Sequence, residues 1–314
     1  MDPIDAMDEA RALELREERA QLRTSLGKVG VWSFTLEAQT AADEREAAAE
    51  IERLGFPAIW VPEAGGSREA LSHAAWLLAS TDRATIATGI ASIWARDPMS
   101  AVNGARMLAD AYPGRFVLGL GVSHRQSTRV PAGQYRGPFT RMREYLDEME
   151  RAESTAPEPV VPPRIVLAAL GPRMLELSAE RTHGAHPYFV PVEHTAFARA
   201  RLGTDPVLAV EQTVVLEADP DRARRIARRF AVDYLALPNY ANNFLRLGFT
   251  PDDVSSVSDR LIDAIVVWGD EEAVKRRVDE HRAAGADHVA VQVVTADPRE
   301  FPRAQWRRLA AALM

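Results

Sequence analysis

The chain has 314 residues, a formal net charge of −7 and no cysteine. An acidic chain without a basic face argues against nucleic acid as a partner, and the lack of cysteine excludes disulfides and thiolate metal sites. No apolar run approaches the roughly 18 residues that a membrane-spanning helix needs. We therefore expect a cytoplasmic globular protein that does not bind nucleic acid or insert into a membrane.

Residues 1–26 are predicted to form an N-terminal helical extension. This segment is acidic and rich in Ala, Leu, Glu and Arg, which is the opposite of a basic, apolar signal peptide. From residue 27 to residue 314, short β-branched segments alternate with helical patterns, and this alternation is typical of a parallel sheet. The proline-rich segment 154–163 predicts a loop, because the alternation resumes directly after it. We predict a single domain over 27–314.

Eight segments have the composition of buried parallel strands. They are 28–34, 58–62, 84–90, 116–121, 164–170, 185–190, 207–216 and 287–294. The clearest helical patterns are 41–54, 69–78, 99–111, 139–153, 172–181 and 271–284. Gly55 and Gly285 follow two of these helices and predict glycine helix stops. Eight such units fit a closed (β/α)8 TIM barrel or an open doubly wound sheet. A ninth strand at 264–268 would make closure less natural.

In a parallel barrel the active site lies at the carboxyl ends of the strands. Glu63 follows the second strand and precedes a Gly-Gly turn, so it either places a carboxylate at the barrel mouth or simply pairs with Arg68. His124 ends the segment LGLGVSH after the fourth strand. It replaces the third glycine of a dinucleotide fingerprint, which excludes a Rossmann site. An imidazole titrates near neutrality and can transfer a proton, although a lone histidine is more often structural.

The segment Gly171-Pro172-Arg173-Met174 begins a helix after the fifth strand. Proline near the first helical position and free N–H groups predict an anion site, to which Arg173 would add charge. The alternative is an ordinary turn between a strand and a helix.

Two further groups of residues could belong to a site. His183, His186 and His194 are close in sequence, but we expect no metal there: the first two flank the start of a strand, at the end of the barrel opposite the active site, and no carboxylate shares their spacing. Trp32, Trp94 and Phe189 are expected core residues that could also form the walls around a planar ring.

Five segments, taken in order, resemble the core motifs of luciferase-like monooxygenases. They are FPAIWVPE, ATIATGIASIWARDP, GRFVLGLGVSH, LAALGPRMLELSAE and AGADHVAVQVV, and the likeness runs from about residue 28 to residue 294. Within that superfamily the chain is similar to actinobacterial oxidoreductases that depend on coenzyme F420. The resemblance implies a luciferase-like (β/α)8 barrel, with a deazaflavin in the barrel mouth that exchanges a hydride with a small organic substrate at its C5 carbon. It also implies a homodimer.

The resemblance further implies which residues bind the cofactor. A non-prolyl cis peptide at Gly89–Ile90, followed by Ala91, would support the middle of the ring, and Val122 and Ser123 would contact it. The phosphate would lie on the turn formed by Leu170, Gly171, Pro172, Arg173 and Met174.

The resemblance leaves the reaction itself open. His124 becomes the first choice as proton donor and Glu63 the second, because Ala64 stands where some F420 enzymes carry a histidine after the acid. An FMN-dependent monooxygenase of the same superfamily and a catalytically silent cofactor-binding or partner-subunit barrel remain alternatives. The substrate stays unidentified, since the loop 125–138 has no telling composition.

Overall fold

The fold is a parallel barrel surrounded by helices, and the computed structural model describes residues 3–124, 135 and 137–314. The described strands are β1 Val29–Trp32, β2 Ala58–Val61, β3 Thr85–Thr88, β4 Ala91–Ser92, β5 Phe116–Gly121, β6 Arg164–Leu167, β7 Gly184–Ala185, β8 Val207–Val215, β9 Val266–Trp268 and β10 His288–Val293.

The described helices lie between and around these strands. They are α1 Pro3–Leu26, α2 Ala41–Arg53, α3 Ala70–Leu78, α4 Pro98–Ala111, α5 Pro138–Glu150, α6 Pro172–Arg181, α7 Val192–Leu202, α8 Pro220–Leu235, α9 Pro238–Arg246, α10 Pro251–Ser256, α11 Asp259–Ile265, α12 Glu271–Ala283 and α13 Arg303–Leu313. In the described part of the chain, no helix has both the length and the apolar composition needed to cross a bilayer.

Eight of the strands close into a barrel in the order β1, β2, β3, β5, β6, β7, β8, β10, and β10 pairs in turn with β1. The closing pair β8–β10 is the longest in register, from His288 opposite Ala209 to Val293 opposite Val214. All pairs are parallel, as short apolar strands buried on both faces require. The predicted (β/α)8 TIM barrel is therefore confirmed, and the open sheet is excluded.

The segment 264–268 is part helix and part strand. Helix α11 ends at Ile265, and Val266–Trp268 forms β9, which pairs with the last three residues of β8. At Thr213 and Val214, β8 pairs with both β9 and β10, so β9 lies on the opposite edge, beyond the point where the short β7 ends. A ninth strand was expected to disfavour closure. That expectation is wrong, because β9 extends the wall of the barrel at its mouth and leaves the closing pair intact.

The predicted helix stops are confirmed in the backbone. Gly55 and Gly285 have φ values of +100° and +107°, a conformation that disfavours residues with a side chain. One strand prediction is displaced, because β7 spans only Gly184–Ala185 where 185–190 was expected. The apolar residues that follow β7 form the mouth of the barrel and do not continue the sheet.

Helix α1 covers the amino-terminal end of the barrel. Leu22 and Leu26 are fully buried and pack with the residues that fill the barrel interior, Trp60 among them. Arg19 donates hydrogen bonds to the carbonyl oxygens of Ala179 and Thr182, at 2.6 and 2.7 Å. The carboxyl-terminal mouth is therefore the open end of the barrel.

Candidate functional site

A pocket of about 550 Å³ lies at the carboxyl ends of the barrel strands. Its described lining comes from five places: the ends of β1 and β2, the segment between β3 and β4, the loop after β5, the turn after β6, and the residues after β7 together with helices α8 and α9. The lining residues are Trp32, Phe34, Pro62, Glu63, Ala64, Gly89, Ile90, Val122, Ser123, His124, Ala168, Ala169, Leu170, Gly171, Met174, His186, Tyr188, Asp233, Tyr234, Leu237, Asn239 and Tyr240. The lining is mostly apolar, with a few polar groups, as in small-molecule sites.

The floor of the pocket is a bulge between β3 and β4. The Gly89–Ile90 bond is cis in this structure, so the predicted cis peptide is confirmed. Two glycines of β5 leave room for the bulge: a Cβ on Gly121 would lie 2.3 Å from Ile90 Cδ1, and one on Gly119 would lie 1.9 Å from the carbonyl oxygen of Thr88. The glycines of the segment LGLG therefore let the bulge pack against β5.

Gly89 itself is held between two buried rings. A Cβ on Gly89 would lie 2.5 Å from Trp32 Nε1 and 3.1 Å from His186 Nε2. His186 was expected at the opposite end of the barrel, and that expectation is wrong: β7 ends one residue before it, so its ring lies at the mouth, stacked on Trp60 at 4.1 Å. Burial lowers the pKa of His186 to about 3, so it is a neutral core ring that donates from Nδ1 to the carbonyl oxygen of Ala209.

Glu63 is bound on all sides. It pairs with Arg96 through both carboxylate oxygens and accepts from the backbone N–H groups of Ser92, at 2.7 Å, and Ala70, at 3.1 Å. The side chains of Glu63 and Arg96 are 9% and 10% exposed, and Arg96 also contacts Glu69 at 2.8 Å. Arg68, the alternative partner considered from the sequence, pairs with Glu44 instead. These contacts favour a role in which Glu63 fixes the strand after the bulge.

His124 lies on the pocket wall, three residues after the end of β5. Ser123, directly before it, has a φ of +50°, an uncommon conformation for a residue with a side chain, and the hydroxyl of Tyr135 donates to the Ser123 carbonyl oxygen at 2.9 Å. Burial lowers the pKa of His124, and a hydrogen bond to the side chain of Asn239 offsets part of that effect. The imidazole is therefore neutral at pH 7 and able to accept a proton.

The turn after β6 opens onto the pocket with free backbone donors. Leu170, Gly171 and Met174 line the pocket, and α6 begins at Pro172 without a side-chain cap. Among the described residues, nothing lies within 4 Å of the position that a Cβ on Gly171 would take, so none of them crowds this helix start. Uncapped N–H groups of this kind bind phosphate well.

Five of the residues considered in the sequence lie outside the lining of this pocket. Arg173 is exposed, and its guanidinium stacks over the Phe139 ring at 4.0 Å. Ala91 is fully buried in β4, and Pro172 begins α6. Trp94 lines a neighbouring cavity, and Phe189 is fully buried behind the wall. Trp32 does line the pocket, as expected.

Part of the wall was not predicted at all. Tyr188 donates to Gln292 at 2.9 Å, and the hydroxyl of Tyr234, on α8, lies 3.0 Å from that of Tyr188. Burial raises the pKa of both tyrosines, so both hydroxyls stay protonated. The lining residues of α8, α9 and their connection, 233–240, come about 18 to 25 residues after the end of β8, and no local motif signals that these helices fold over the mouth.

The three histidines considered as metal ligands are held apart by different partners. His183 Nε2 contacts Glu18 at 3.1 Å, and His194 Nε2 donates to the Leu170 carbonyl oxygen at 3.0 Å. Within the described ranges, no group of three His, Cys, Asp or Glu residues could hold a metal ion.

The pocket fits a flavin-like ring that carries a phosphate. The bare face of Gly89 and the side chain of Ile90 form an apolar floor, while the open start of α6 supplies uncapped N–H donors. Within the part of the chain that the structure describes, no side chain comes within 4 Å of a Cβ built on Gly171.

Comparisons with known proteins place the chain in a family. The model of the family "Luciferase-like monooxygenase" matches residues 25–288. A putative coenzyme F420-dependent oxidoreductase of Mycobacterium tuberculosis is 28% identical, with 88% of this chain and 96% of that protein covered.

Two solved structures share the fold at 16% sequence identity. An F420-dependent secondary alcohol dehydrogenase in complex with an F420–acetone adduct superposes with a TM-score of 0.72, covering 91% of this chain and 99% of that one. The oxygenating constituent of 3,6-diketocamphane monooxygenase from Pseudomonas putida, in complex with FMN, gives 0.65, with 90% and 95% covered. The family match spans most of the barrel, and the chain belongs to the luciferase-like monooxygenase family.

Proposed function

We propose that this protein is an F420-dependent oxidoreductase that transfers a hydride between the deazaflavin C5 and a small organic substrate. One observation carries the proposal. The three segments predicted to hold the cofactor, at Gly89–Ile90, at Val122–Ser123 and at the start of α6, meet His124 around a single pocket. The match with the putative F420-dependent oxidoreductase covers 96% of that protein, and this similarity supports the choice of cofactor.

Each part of the pocket has a role in holding the cofactor. Gly89 and Ile90 support the ring, and Val122 and Ser123 border it at the end of β5. The N–H groups at the start of α6 hold the phosphate, and Gly171 leaves that approach free. The bound deazaflavin would supply the carbon that accepts or donates the hydride.

The arginine of the turn has a smaller role than its sequence position indicated. Because the Arg173 guanidinium stacks on Phe139, the helix start carries most of the phosphate binding, and Arg173 adds long-range charge only.

His124 is the residue that moves a proton to or from the substrate. Its side chain faces the pocket, and burial lowers its pKa, so the resting imidazole is neutral. Glu63 is not free to transfer a proton, since Arg96 and two backbone N–H groups occupy its oxygens. We assign Glu63 to positioning the strand after the bulge.

An FMN-dependent monooxygenase is the second candidate. The FMN-bound neighbour has the same fold, and the floor and the phosphate turn suit FMN as well as F420, because both carry a tricyclic ring and a phosphate. A barrel that binds a cofactor without catalysis is the third candidate.

Titration of the purified protein with F420 and with FMN, followed by fluorescence quenching, tests the proposal. We expect micromolar or tighter binding of F420 and much weaker binding of FMN. Tighter FMN binding would contradict the proposal and favour the monooxygenase. If F420 binds but no alcohol of a panel bleaches the absorption of the oxidised cofactor and no ketone restores it in the reduced cofactor, the silent barrel is favoured.

Two variants test the assignments within the site. His124→Ala should lower turnover about 100-fold or more and leave the Kd of F420 nearly unchanged, since the imidazole acts on the substrate. Gly171→Val should weaken F420 binding by obstructing the helix start, whereas Arg173→Ala should change the Kd less. If the Arg173 variant binds F420 more weakly than the Gly171 variant, the assignment of the phosphate to the N–H groups at the start of α6 is overturned.

A further inference from the structure

His194 lies behind the turn that leads into α6. It is the third residue of α7, it is fully buried, and it is not among the described residues that line the pocket. Its Nε2 lies 3.0 Å from the carbonyl oxygen of Leu170, which does line the pocket. Because a carbonyl oxygen can only accept, Nε2 carries the hydrogen of the ring. The turn is therefore bonded on its buried side to a helix outside the described lining.

This bond is the one polar contact of the imidazole within the described ranges. The other ring nitrogen, Nδ1, is buried there without a hydrogen-bond partner. Burial lowers the pKa of His194 to about 4, so the ring is neutral at pH 7 and adds no positive charge to the turn. A polar ring with a single contact costs more to bury than an apolar side chain of similar size. Packing alone therefore does not account for a histidine at this position.

The peptide bond between Leu170 and Gly171 carries the contact to the other side of the turn. It is trans, since Gly89–Ile90 is the one cis bond among the described residues. In a planar trans peptide the C=O group and the following N–H group point in opposite directions. The N–H of Gly171 therefore points away from His194, and it makes no hydrogen bond to the backbone of the described residues. Since Gly171 lines the pocket, this donor is free on the pocket side.

The two residues of the turn do not fix this donor by themselves. Gly171 is the N-cap of α6 and makes no side-chain cap, and a residue without Cβ leaves its backbone free to rotate. Pro172 follows it and has no N–H. A hydrogen bond that holds the preceding carbonyl oxygen from behind is therefore the contact that limits rotation of this peptide.

We propose that His194 is a positioning residue for the phosphate-binding turn: it holds the Leu170 carbonyl oxygen and thereby keeps the N–H of Gly171 directed at the phosphate of the cofactor. The inference rests on the proposed function, because it takes the start of α6 as the phosphate site. A donor whose orientation is fixed before the anion arrives binds it more tightly than one that must be ordered on binding.

Three substitutions of His194 separate orientation from packing. His194→Gln keeps a donor, because the amide nitrogen of glutamine is as many bonds from Cβ as Nε2 of histidine. His194→Leu fills a similar volume without a donor, and His194→Asn stays polar but is one bond too short to reach the carbonyl oxygen. Circular dichroism checks that each variant is folded.

His288→Leu is the matched control. His288 is also fully buried and donates from Nδ1 to a backbone carbonyl oxygen, that of Gly27, at 2.9 Å. Burial lowers the pKa of His288 to about 4, as it does for His194. Gly27 directly follows α1, which covers the amino-terminal end of the barrel, so this bond lies away from the phosphate turn.

The quantity to measure is the phosphate contribution, defined as the Kd of the cofactor without its phosphate divided by the Kd of the intact cofactor. F420 is compared with its ribityl deazaflavin that lacks the phosphate, and FMN is compared with riboflavin. We expect His194→Leu and His194→Asn to lower this ratio about 10-fold or more, whereas His194→Gln and His288→Leu should retain most of it. At saturating cofactor, kcat should stay unchanged, because neither the ring seat nor His124 is altered.

Inorganic phosphate provides a second measurement that needs no cofactor. In protein labelled with ¹⁵N-glycine, the amide signal of Gly171 is assigned by its loss in Gly171→Ala. Titration with phosphate should shift this signal in the wild type and in His194→Gln, and shift it much less in His194→Leu and His194→Asn.

The outcomes distinguish the positioning role from the proposed function. A phosphate contribution that is the same in His194→Leu and His194→Asn as in the wild type overturns the positioning role alone, and so does an equal loss of affinity for both forms of the cofactor. If His194→Leu does not fold, His194→Asn decides. If FMN alone binds and its phosphate contribution falls as expected, the choice of F420 fails and the positioning role stands. A wild type in which the phosphate contributes nothing to binding overturns both.

Discussion

Glu211 offers a measurable test of how much an ionised carboxylate in the barrel interior lowers the stability of the fold. Its side chain is 1% exposed, one oxygen accepts from the Thr213 hydroxyl at 2.7 Å, and the other accepts from the backbone N–H of Phe189 at 2.9 Å. Burial raises the pKa of Glu211 to about 7, against an ordinary 4.5. In Glu211→Gln the amide oxygen can keep the bond from Phe189, and the amide N–H₂ can donate to Thr213, so the shape and both contacts are preserved.

The sign and size of the effect follow from the two pKa values. A carboxyl group with a raised pKa in the folded state is most stabilising below pH 4.5, and this stability is lost as the pH rises to about 7. At about 1.4 kcal/mol per pH unit, the loss above pH 7 amounts to about 3 kcal/mol. Glu211→Gln stays neutral throughout, so it should be more stable than the wild type, and its advantage should grow by about 2 kcal/mol between pH 5.5 and pH 8.

Urea unfolding followed by circular dichroism at several pH values measures this advantage. Glu17→Gln, on the exposed surface of α1, is the control and should differ from the wild type by less than about 0.5 kcal/mol at every pH. An advantage of Glu211→Gln that is constant from pH 5.5 to pH 8 would refute the reasoning, because it would mean that Glu211 does not titrate differently in the folded state.

Three further predictions concern the site and the barrel. Gly121→Ala should displace Ile90, 2.3 Å from the added Cβ, and weaken F420 binding about 10-fold or more while the protein stays folded; unchanged affinity would show that the bulge does not support the ring. Glu63→Gln should lower the free energy of unfolding by about 3 kcal/mol, because Arg96 loses its buried partner; an unaltered urea midpoint would contradict this. The free energy of unfolding should fall steeply from pH 6.5 towards pH 4, by about 2 kcal/mol at pH 5 for each histidine whose pKa is lowered by burial. A free energy of unfolding that stays constant over that range would contradict the lowered pKa values. These histidines are His186, His194, His281 and His288.

The local features of the barrel could be predicted from the sequence. Seven of the eight predicted strands contain the observed ones, and Gly55 and Gly285 end their helices as expected. Both signals are local, because a run of β-branched residues and a glycine at a helix end act through the backbone of a few neighbouring residues. The resemblance added the cis bond at Gly89–Ile90, which composition alone would not indicate.

The arrangement of the site was decided only by the tertiary structure. Closure depends on the pairing of β10 with both β8 and β1, and no local pattern specifies which strands meet. Residues far apart in the chain become partners in the same way: Glu63 binds Arg96 rather than the nearby Arg68, and His124 meets Asn239 from a helix that begins more than a hundred residues later.

The sequence by itself thus determined which segments form strands, where helices stop, and which strand ends could carry chemistry. The tertiary structure decided which of those ends face one pocket, and it turned Arg173 away from that pocket onto Phe139. The physical reason is the range of the forces involved. Backbone preferences act over a few residues, whereas side-chain partners are chosen by strand order and by the helices that fold over the mouth, which only the closed barrel brings together.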